Sequence, residues 1–143
     1  MKLNHFTDFG MRVLIYLEHL DSNQSTSLDE LAEKFKISRN HLIKVVQFLS
    51  HSELIQTKRG KNGGISIAKK AQETPIGQLI HLLEQDESPI IDCQAKTCIF
   101  PSQQCQLKHL FQIGYQAFIA VLDEYYLKDL RFENWNQIIN QNA

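Results

Sequence analysis

Apolar residues recur every three or four positions along much of the chain, which predicts a mainly helical protein. The first such segment covers residues 7–20, and Thr7 or Asp8 is its expected N-cap. A later helix is expected to start at Thr74-Pro75, with threonine as the cap and proline in the first helical position. The helix-turn-helix and hairpin patterns lie between these two helices.

Residues 28–51 have the pattern of a helix-turn-helix. Ser27 and Glu30 form a capping box before a short amphipathic helix, and Ser38 can cap a second helix after a turn of a few residues. One face of the second helix is apolar. Its opposite face carries Asn40, Lys44, Gln47 and His51. Such a polar and basic outer face is typical of a helix that enters the major groove of DNA.

Residues 54–68 predict a β-hairpin. Isoleucine and threonine alternate with polar residues on both sides of a glycine-rich centre. A hairpin directly after a helix-turn-helix is a wing, and the tip of this one carries Arg59 and Lys61. Gly63 and Gly64 would let the backbone approach a phosphate or enter a groove.

The second half of the chain contains one long apolar helix. A seam with an average period of 3.5 residues runs through Leu107, Phe111, Gly114, Phe118, Val121 and Tyr125. We expect a dimerisation helix, and the alternative is a core helix of the same domain. A terminal helix is predicted at residues 129–141. The expected division is a winged helix-turn-helix domain at 1–86, a cysteine loop at 87–106, and dimerisation and terminal helices at 107–143.

The net charge of −1 is unevenly distributed. Residues 36–70 contain eight basic residues and a single acidic residue, Glu53, and so carry +7, whereas the remainder carries −8. This segment favours a polyanionic partner, although on charge alone a solvated face explains it as well. The longest apolar run, at 117–122, is too short to cross a membrane, and we expect a cytoplasmic protein. No phosphate-binding loop or paired nucleophile and base indicates an enzyme.

All three cysteines, Cys93, Cys98 and Cys105, lie in one non-periodic segment at residues 91–107. An odd number of cysteines in a cytoplasmic protein argues against a disulfide framework. An iron–sulfur cluster, zinc and redox-active thiols all fit three thiolates, and gaps of four and six residues weaken the zinc interpretation. Candidate fourth ligands are Asp8, His5, His81, Asp92 and His109.

The order of these parts resembles the winged-helix iron–sulfur repressors of bacteria over nearly the whole chain. The resemblance is carried by TDFGMRVLIYL at residues 7–17, SRNHLIKV at 38–45, RGKNGG at 59–64 and the cysteine segment. It implies that Cys93, Cys98 and Cys105 hold an iron–sulfur cluster, expected as 4Fe–4S rather than 2Fe–2S. It also implies a fourth ligand from Asp8, which the partner subunit of a homodimer could contribute; helix capping is the alternative role of Asp8.

Within that family, the cysteine spacing is most similar to that of the members that sense nitric oxide. The members that regulate iron–sulfur assembly have a histidine three residues after the last cysteine, where this chain has Lys108. The implied function is repression of nitric oxide detoxification genes, released when nitric oxide nitrosylates the cluster. The alternatives are a regulator of the same fold that senses iron or redox state, and a zinc-stabilised module that binds RNA or protein.

A palindromic operator would bring two recognition helices into successive major grooves of double-stranded DNA, with the wings in the flanking minor grooves. The residues expected to contact DNA are Ser38, Arg39, Asn40, His41 and Lys44 in the second helix of the helix-turn-helix, and Lys58, Arg59, Lys61, Gly63 and Gly64 in the wing. Ser38 would combine capping with a phosphate contact. Arg59 is the expected minor-groove side chain.

Overall fold

The computed structural model describes residues 3–61, 63–85, 90–91, 98–100 and 105–141. Its elements, in chain order, are α1 (His5–Glu18), α2 (Leu28–Phe35), α3 (Arg39–His51), β1 (Ile55–Lys58), β2 (Gly64–Ile67), α4 (Lys69–Glu73), α5 (Ile76–Glu84), α6 (Gln106–Leu122), a 3-10 helix (Leu127–Leu130) and α7 (Trp135–Gln141). A mainly helical chain with one small antiparallel hairpin confirms the predicted fold class. Across the described ranges, no helix has the length and apolar character needed to cross a bilayer.

The first helix begins at His5 and is capped by Asn4, so the prediction of Thr7 or Asp8 as its cap was wrong. The Asn4 Oδ1 atom accepts the Thr7 N–H at 2.8 Å. The backbone N–H of Asn4 donates to the Glu84 carboxylate at 3.0 Å, which joins the start of α1 to the end of α5. Asn4 therefore stabilises the helix start and a tertiary contact together.

The capping box at the start of α2 is only half formed. The Ser27 hydroxyl oxygen accepts the Glu30 N–H at 3.1 Å. The Glu30 carboxylate accepts instead from the hydroxyls of Tyr16 and Thr26, both at 2.8 Å, and so links α2 to α1. Burial of Tyr16, followed by its hydrogen bond to Glu30 and the charge of that carboxylate, raises the pKa of Tyr16 to about 12.

This raised pKa predicts a loss of stability in strong alkali. Between about pH 10 and pH 12, the folded chain binds the Tyr16 proton more tightly than the unfolded chain does. Tyr16 should therefore contribute its full stabilisation below pH 10, and the free energy of unfolding should fall as the pH rises to 12. Urea denaturation across this range, with Tyr16→Phe as the comparison, measures the effect. An identical pH dependence in the two proteins would contradict the prediction, and Tyr125→Phe controls for the loss of one phenol.

The core lies among α1, α2, α3 and α5, and the hairpin closes one side of it. Its fully buried side chains include Val13, Leu14, Leu31, Leu42, Leu49, Leu79 and Leu83. The two strands pair antiparallel from Ile55 opposite Ile67 to Lys58 opposite Gly64. The Leu54 N–H donates to the Leu49 carbonyl at 2.9 Å, so the wing starts directly from the end of α3.

The start of α5 differs from the prediction. The helix begins at Ile76, after Pro75, and Thr74 does not cap it, because the Thr74 hydroxyl donates back to the Lys70 carbonyl at 2.6 Å. Lys70 belongs to α4, a short helix that the sequence pattern did not predict. The Ile76 N–H donates to the Tyr125 carbonyl at 2.8 Å and ties α5 to the segment after α6.

The long helix α6 has no buried residue, although it is rich in apolar side chains. Leu110 is 62% exposed and Val121 is 60% exposed. The helix approaches α5 at Gly77, where a Cβ atom would lie 2.7 Å from the Ile119 carbonyl oxygen. A core helix of the same domain would bury more of its apolar face, so the open face favours the dimerisation helix, which stays a prediction.

The predicted terminal helix at 129–141 is divided into the 3-10 helix and α7. The Trp135 ring stacks on His19, the C-cap of α1, with ring centroids 4.0 Å apart. The Phe132 N–H donates to the Nε2 atom of His19 at 2.8 Å. Trp135 therefore packs back onto the domain, whereas the Phe132 side chain remains half exposed.

Candidate nucleic-acid interface and cysteine segment

The outer face of α3 carries the residues that the sequence predicted for DNA contact. Ser38 is the N-cap, and its hydroxyl oxygen accepts the His41 N–H at 3.4 Å. Arg39, Asn40, His41 and Lys44 are all exposed. The inner face is anchored in the core by Leu42, Val45 and Leu49. Helix position and exposure therefore agree with a recognition helix, while the contacts themselves stay predictions.

Two neighbours of this face were not identified from the sequence. The Arg39 Nε atom donates to the Asp29 carboxylate of α2 at 2.6 Å. The Phe9 ring of α1 approaches the His41 ring of α3, with ring centroids 6.4 Å apart. Both contacts join different helices, so the periodicity of a single helix contains no signal for them.

The wing depends on glycines for a structural reason. Gly60 adopts a φ of +102°, which favours glycine. The Gly63 N–H donates to the Gly60 carbonyl at 2.9 Å, and a Cβ atom at Gly63 would collide with the Lys58 carbonyl oxygen. A Cβ atom at Gly64 would collide with the Ser25 side chain. Gly63 is therefore required by the turn, and Gly64 by the packing of the wing against Ser25; their approach to DNA stays a prediction.

Four cations on α3 and the wing have no acidic partner among the described residues. Lys44 on α3 and Lys58, Arg59 and Lys61 in the wing are exposed, and none of them forms an ion pair with another described residue. By contrast, Lys69 pairs with Glu73 and Lys70 pairs with Glu53, each at 3.1 Å. The cations without an acidic partner lie on α3 and on the wing that starts from its end. Exposed positive charges in this arrangement attract the phosphate backbone of DNA.

The cysteine segment is described in part. Cys93 and Asp92 lie outside the described residues. Cys98 is exposed, Cys105 is half-buried just before α6, and both are free thiols. Two unbridged thiols with access to solvent are suitable donors for an iron–sulfur cluster, so the described part of this segment fits such a cluster.

Three other candidate ligands, Asp8, His81 and His109, lie on α1, α5 and α6. The Asp8 carboxylate lies in the first turn of α1 and accepts from the Arg12 Nε atom at 2.9 Å. His81 approaches the Tyr115 hydroxyl at 3.5 Å, and His109 is exposed on α6. No group of three or more metal-ligating side chains is gathered among the residues that the structure describes. Ligation by Asp8 therefore stays a prediction.

The chain is similar to a known protein family and to several solved structures. Residues 3–133 match the model of the Rrf2 family, whose description is iron-dependent transcriptional regulator. CymR, the global cysteine regulator of B. subtilis, is 24% identical, with 91% of this chain and 95% of that chain covered at a TM-score of 0.73. CymR of Staphylococcus aureus is 28% identical over 89% of this chain and 95% of that chain, with a TM-score of 0.69. IscR of T. potens is 22% identical over 91% and 85% of the two chains, with a TM-score of 0.69.

Proposed function

The chain belongs to the Rrf2 family of iron-dependent transcriptional regulators, and on this basis we propose that it represses transcription as a homodimer on a palindromic operator. A regulator of this family binds DNA and is not an enzyme. We further propose that it works in the cytoplasm and senses nitric oxide through an iron–sulfur cluster. The proposed division is a winged helix-turn-helix domain at residues 1–86, a cysteine segment at 87–106, and dimerisation and terminal helices at 107–143.

The uncompensated charge on α3 and the wing is the observation that supports the DNA interface. Lys44 on the outer face of α3 and Arg59 in the wing are exposed and have no acidic partner among the described residues. Because the wing starts at the end of α3, one subunit would place the helix in a major groove and the wing in the adjacent minor groove. The open apolar face of α6 supports pairing of two subunits on two half-sites.

The residues that would hold the cluster are Cys93, Cys98 and Cys105, with Asp8 as the fourth ligand. When bound, the cluster supplies iron that reacts with nitric oxide. The spacing of four and six residues between the cysteines is similar to that of NsrR, the nitric-oxide-sensing repressor. In the described chain, Asp8 is paired with Arg12, so this arginine would lose its partner when Asp8 takes another one.

A thiol-based redox regulator is the second candidate. The exposed, unbridged thiol of Cys98 favours it, because reaction with an oxidant requires an accessible thiol. One of the similar solved structures is an oxidized form of S. aureus CymR, 28% identical to this chain. This candidate shares the DNA interface and differs in the chemistry of the cysteine segment.

A nitric oxide titration separates the two candidates. The protein is purified without oxygen, its visible spectrum is recorded, and its binding to a palindromic promoter fragment is followed as nitric oxide is added. We expect a brown protein that bleaches in step with a loss of DNA affinity of at least about tenfold. A colourless protein that ignores nitric oxide but loses affinity with peroxide would contradict the cluster and favour the thiol sensor.

A further inference from the structure

The first residue of α3 is an arginine held by a carboxylate from α2. The Arg39 Nε atom lies 2.6 Å from the Asp29 Oδ1 atom. A cation in the first turn of a helix opposes the helix dipole, and Ser38 already caps this helix. Helix stability alone therefore does not account for an arginine at this position. The structure places an unfavourable charge there and holds it with a side chain from the neighbouring helix.

The carboxylate occupies one side of the guanidinium and leaves the other side free. Asp29 accepts from Nε, and Arg39 makes no other hydrogen bond with the residues that the structure describes. The terminal nitrogens of the guanidinium thus keep their N–H donors available. The O6 and N7 acceptors of guanine in the major groove match two such parallel donors. Both Arg39 and Asp29 are more than half exposed, so DNA could reach them.

We propose that Arg39 reads a guanine in each operator half-site and that Asp29 is the positioning residue that holds its guanidinium in the reading orientation. The proposal rests on the DNA-binding function proposed above. The N-terminal residues of a recognition helix contact base edges, and Arg39 is the first residue of α3. An unrestrained arginine would reach phosphates as readily, and a phosphate contact carries no sequence information.

The chain offers a matched control for the charge of Asp29. Glu33 lies on the same short helix and is exposed. Among the described residues, its side chain makes no hydrogen bond or ion pair. Glu33→Gln therefore removes the same charge from the same helix and leaves Arg39 untouched. Asp29→Glu keeps the carboxylate and tests whether a carboxylate at this position suffices.

The experiment is a selection from randomised double-stranded DNA with the full-length wild-type protein and its variants. Wild type should enrich a G·C pair at one position of each half-site, and Arg39→Ala should lose that preference by about tenfold or more. Asp29→Asn should lose most of the same preference at that position alone. Asp29→Glu should retain much of it, and Glu33→Gln should retain all of it. In an Arg39→Ala background, Asp29→Asn should have no further effect on specificity.

Three results would overturn the inference while the DNA-binding function stands. The first is a change in affinity that is equal for all sequences when Asp29 is replaced by asparagine. It would mean that the Asp29 carboxylate only repels phosphates, or that Arg39 contacts a phosphate. The second is a loss of specificity at positions that do not depend on Arg39. The third is the same loss in Glu33→Gln. Failure of wild type to enrich any sequence would instead overturn the DNA-reading function, and the inference with it. Thermal unfolding of each variant identifies any change caused by misfolding.

Discussion

Replacement of both Arg59 and Lys61 by alanine is expected to weaken operator binding by roughly a thousandfold at about 0.15 M salt. A homodimer would lose four cations, because each subunit contributes both residues. If each cation contacts a phosphate, the slope of log affinity against log salt becomes less steep by about 3.6. Fluorescence anisotropy of a labelled promoter fragment across a range of salt concentrations measures both quantities. The fold should not change, because both side chains are exposed and pair with no described residue.

A charge-matched control is available in the same chain. Lys69→Ala combined with Lys70→Ala also removes two cations from each subunit, but these cations already pair with Glu73 and Glu53 outside the hairpin. This variant should keep most of the wild-type affinity and salt slope. The wing would be excluded as a DNA contact if both double variants lost affinity equally, since only net charge would then matter.

The helix-turn-helix was predictable because local side chains determine it. Ser27 and Ser38 cap α2 and α3 as expected, and the apolar stripes of both helices face the core. The caps of α1 and α5 were not predictable in the same way. Asn4 is held by Glu84, eighty residues away, and Thr74 turns back to Lys70 in a helix that the pattern did not indicate. Local pattern contains no signal for a partner that only folding brings close.

In the candidate site, too, features set by local sequence were predictable and contacts between distant segments were not. Exposure of Lys44 follows from its position on the polar face of an amphipathic helix, and exposure of Arg59 follows from its position in the turn of the hairpin. The contact of Asp29 with Arg39 does not, because it depends on how α2 packs against α3. The chemistry of a three-thiolate loop can be recognised from residue types alone. In the proposed site, the identity of the fourth ligand would depend on loop conformation and on a partner subunit, and neither is encoded in the spacing of the cysteines.

Replacement of Cys98 by serine is expected to remove the iron–sulfur cluster and, with it, the response to nitric oxide. A serine hydroxyl is a much poorer iron ligand than a thiolate, so the purified variant should contain less than about a tenth of the wild-type iron and lack its visible colour. Iron analysis and the visible spectrum of protein purified without oxygen measure the loss. Because Cys98 is exposed and forms no disulfide, the thermal unfolding midpoint of the cluster-free protein should not change.

Cys93→Ser and Cys105→Ser should behave in the same way, whereas His109→Ala should keep both iron and colour, because the exposed His109 is not expected to be a ligand. The comparison also tests which of the two sensing chemistries operates. Retention of full iron and colour in Cys98→Ser would show that this thiol is not a ligand. If iron-free wild-type protein loses DNA affinity with peroxide and Cys98→Ser does not, Cys98 would instead be the thiol that is oxidised. We expect all three cysteine variants to lose iron and to bind DNA without a response to nitric oxide. That result would show that the cysteine segment controls DNA binding by the recognition helix.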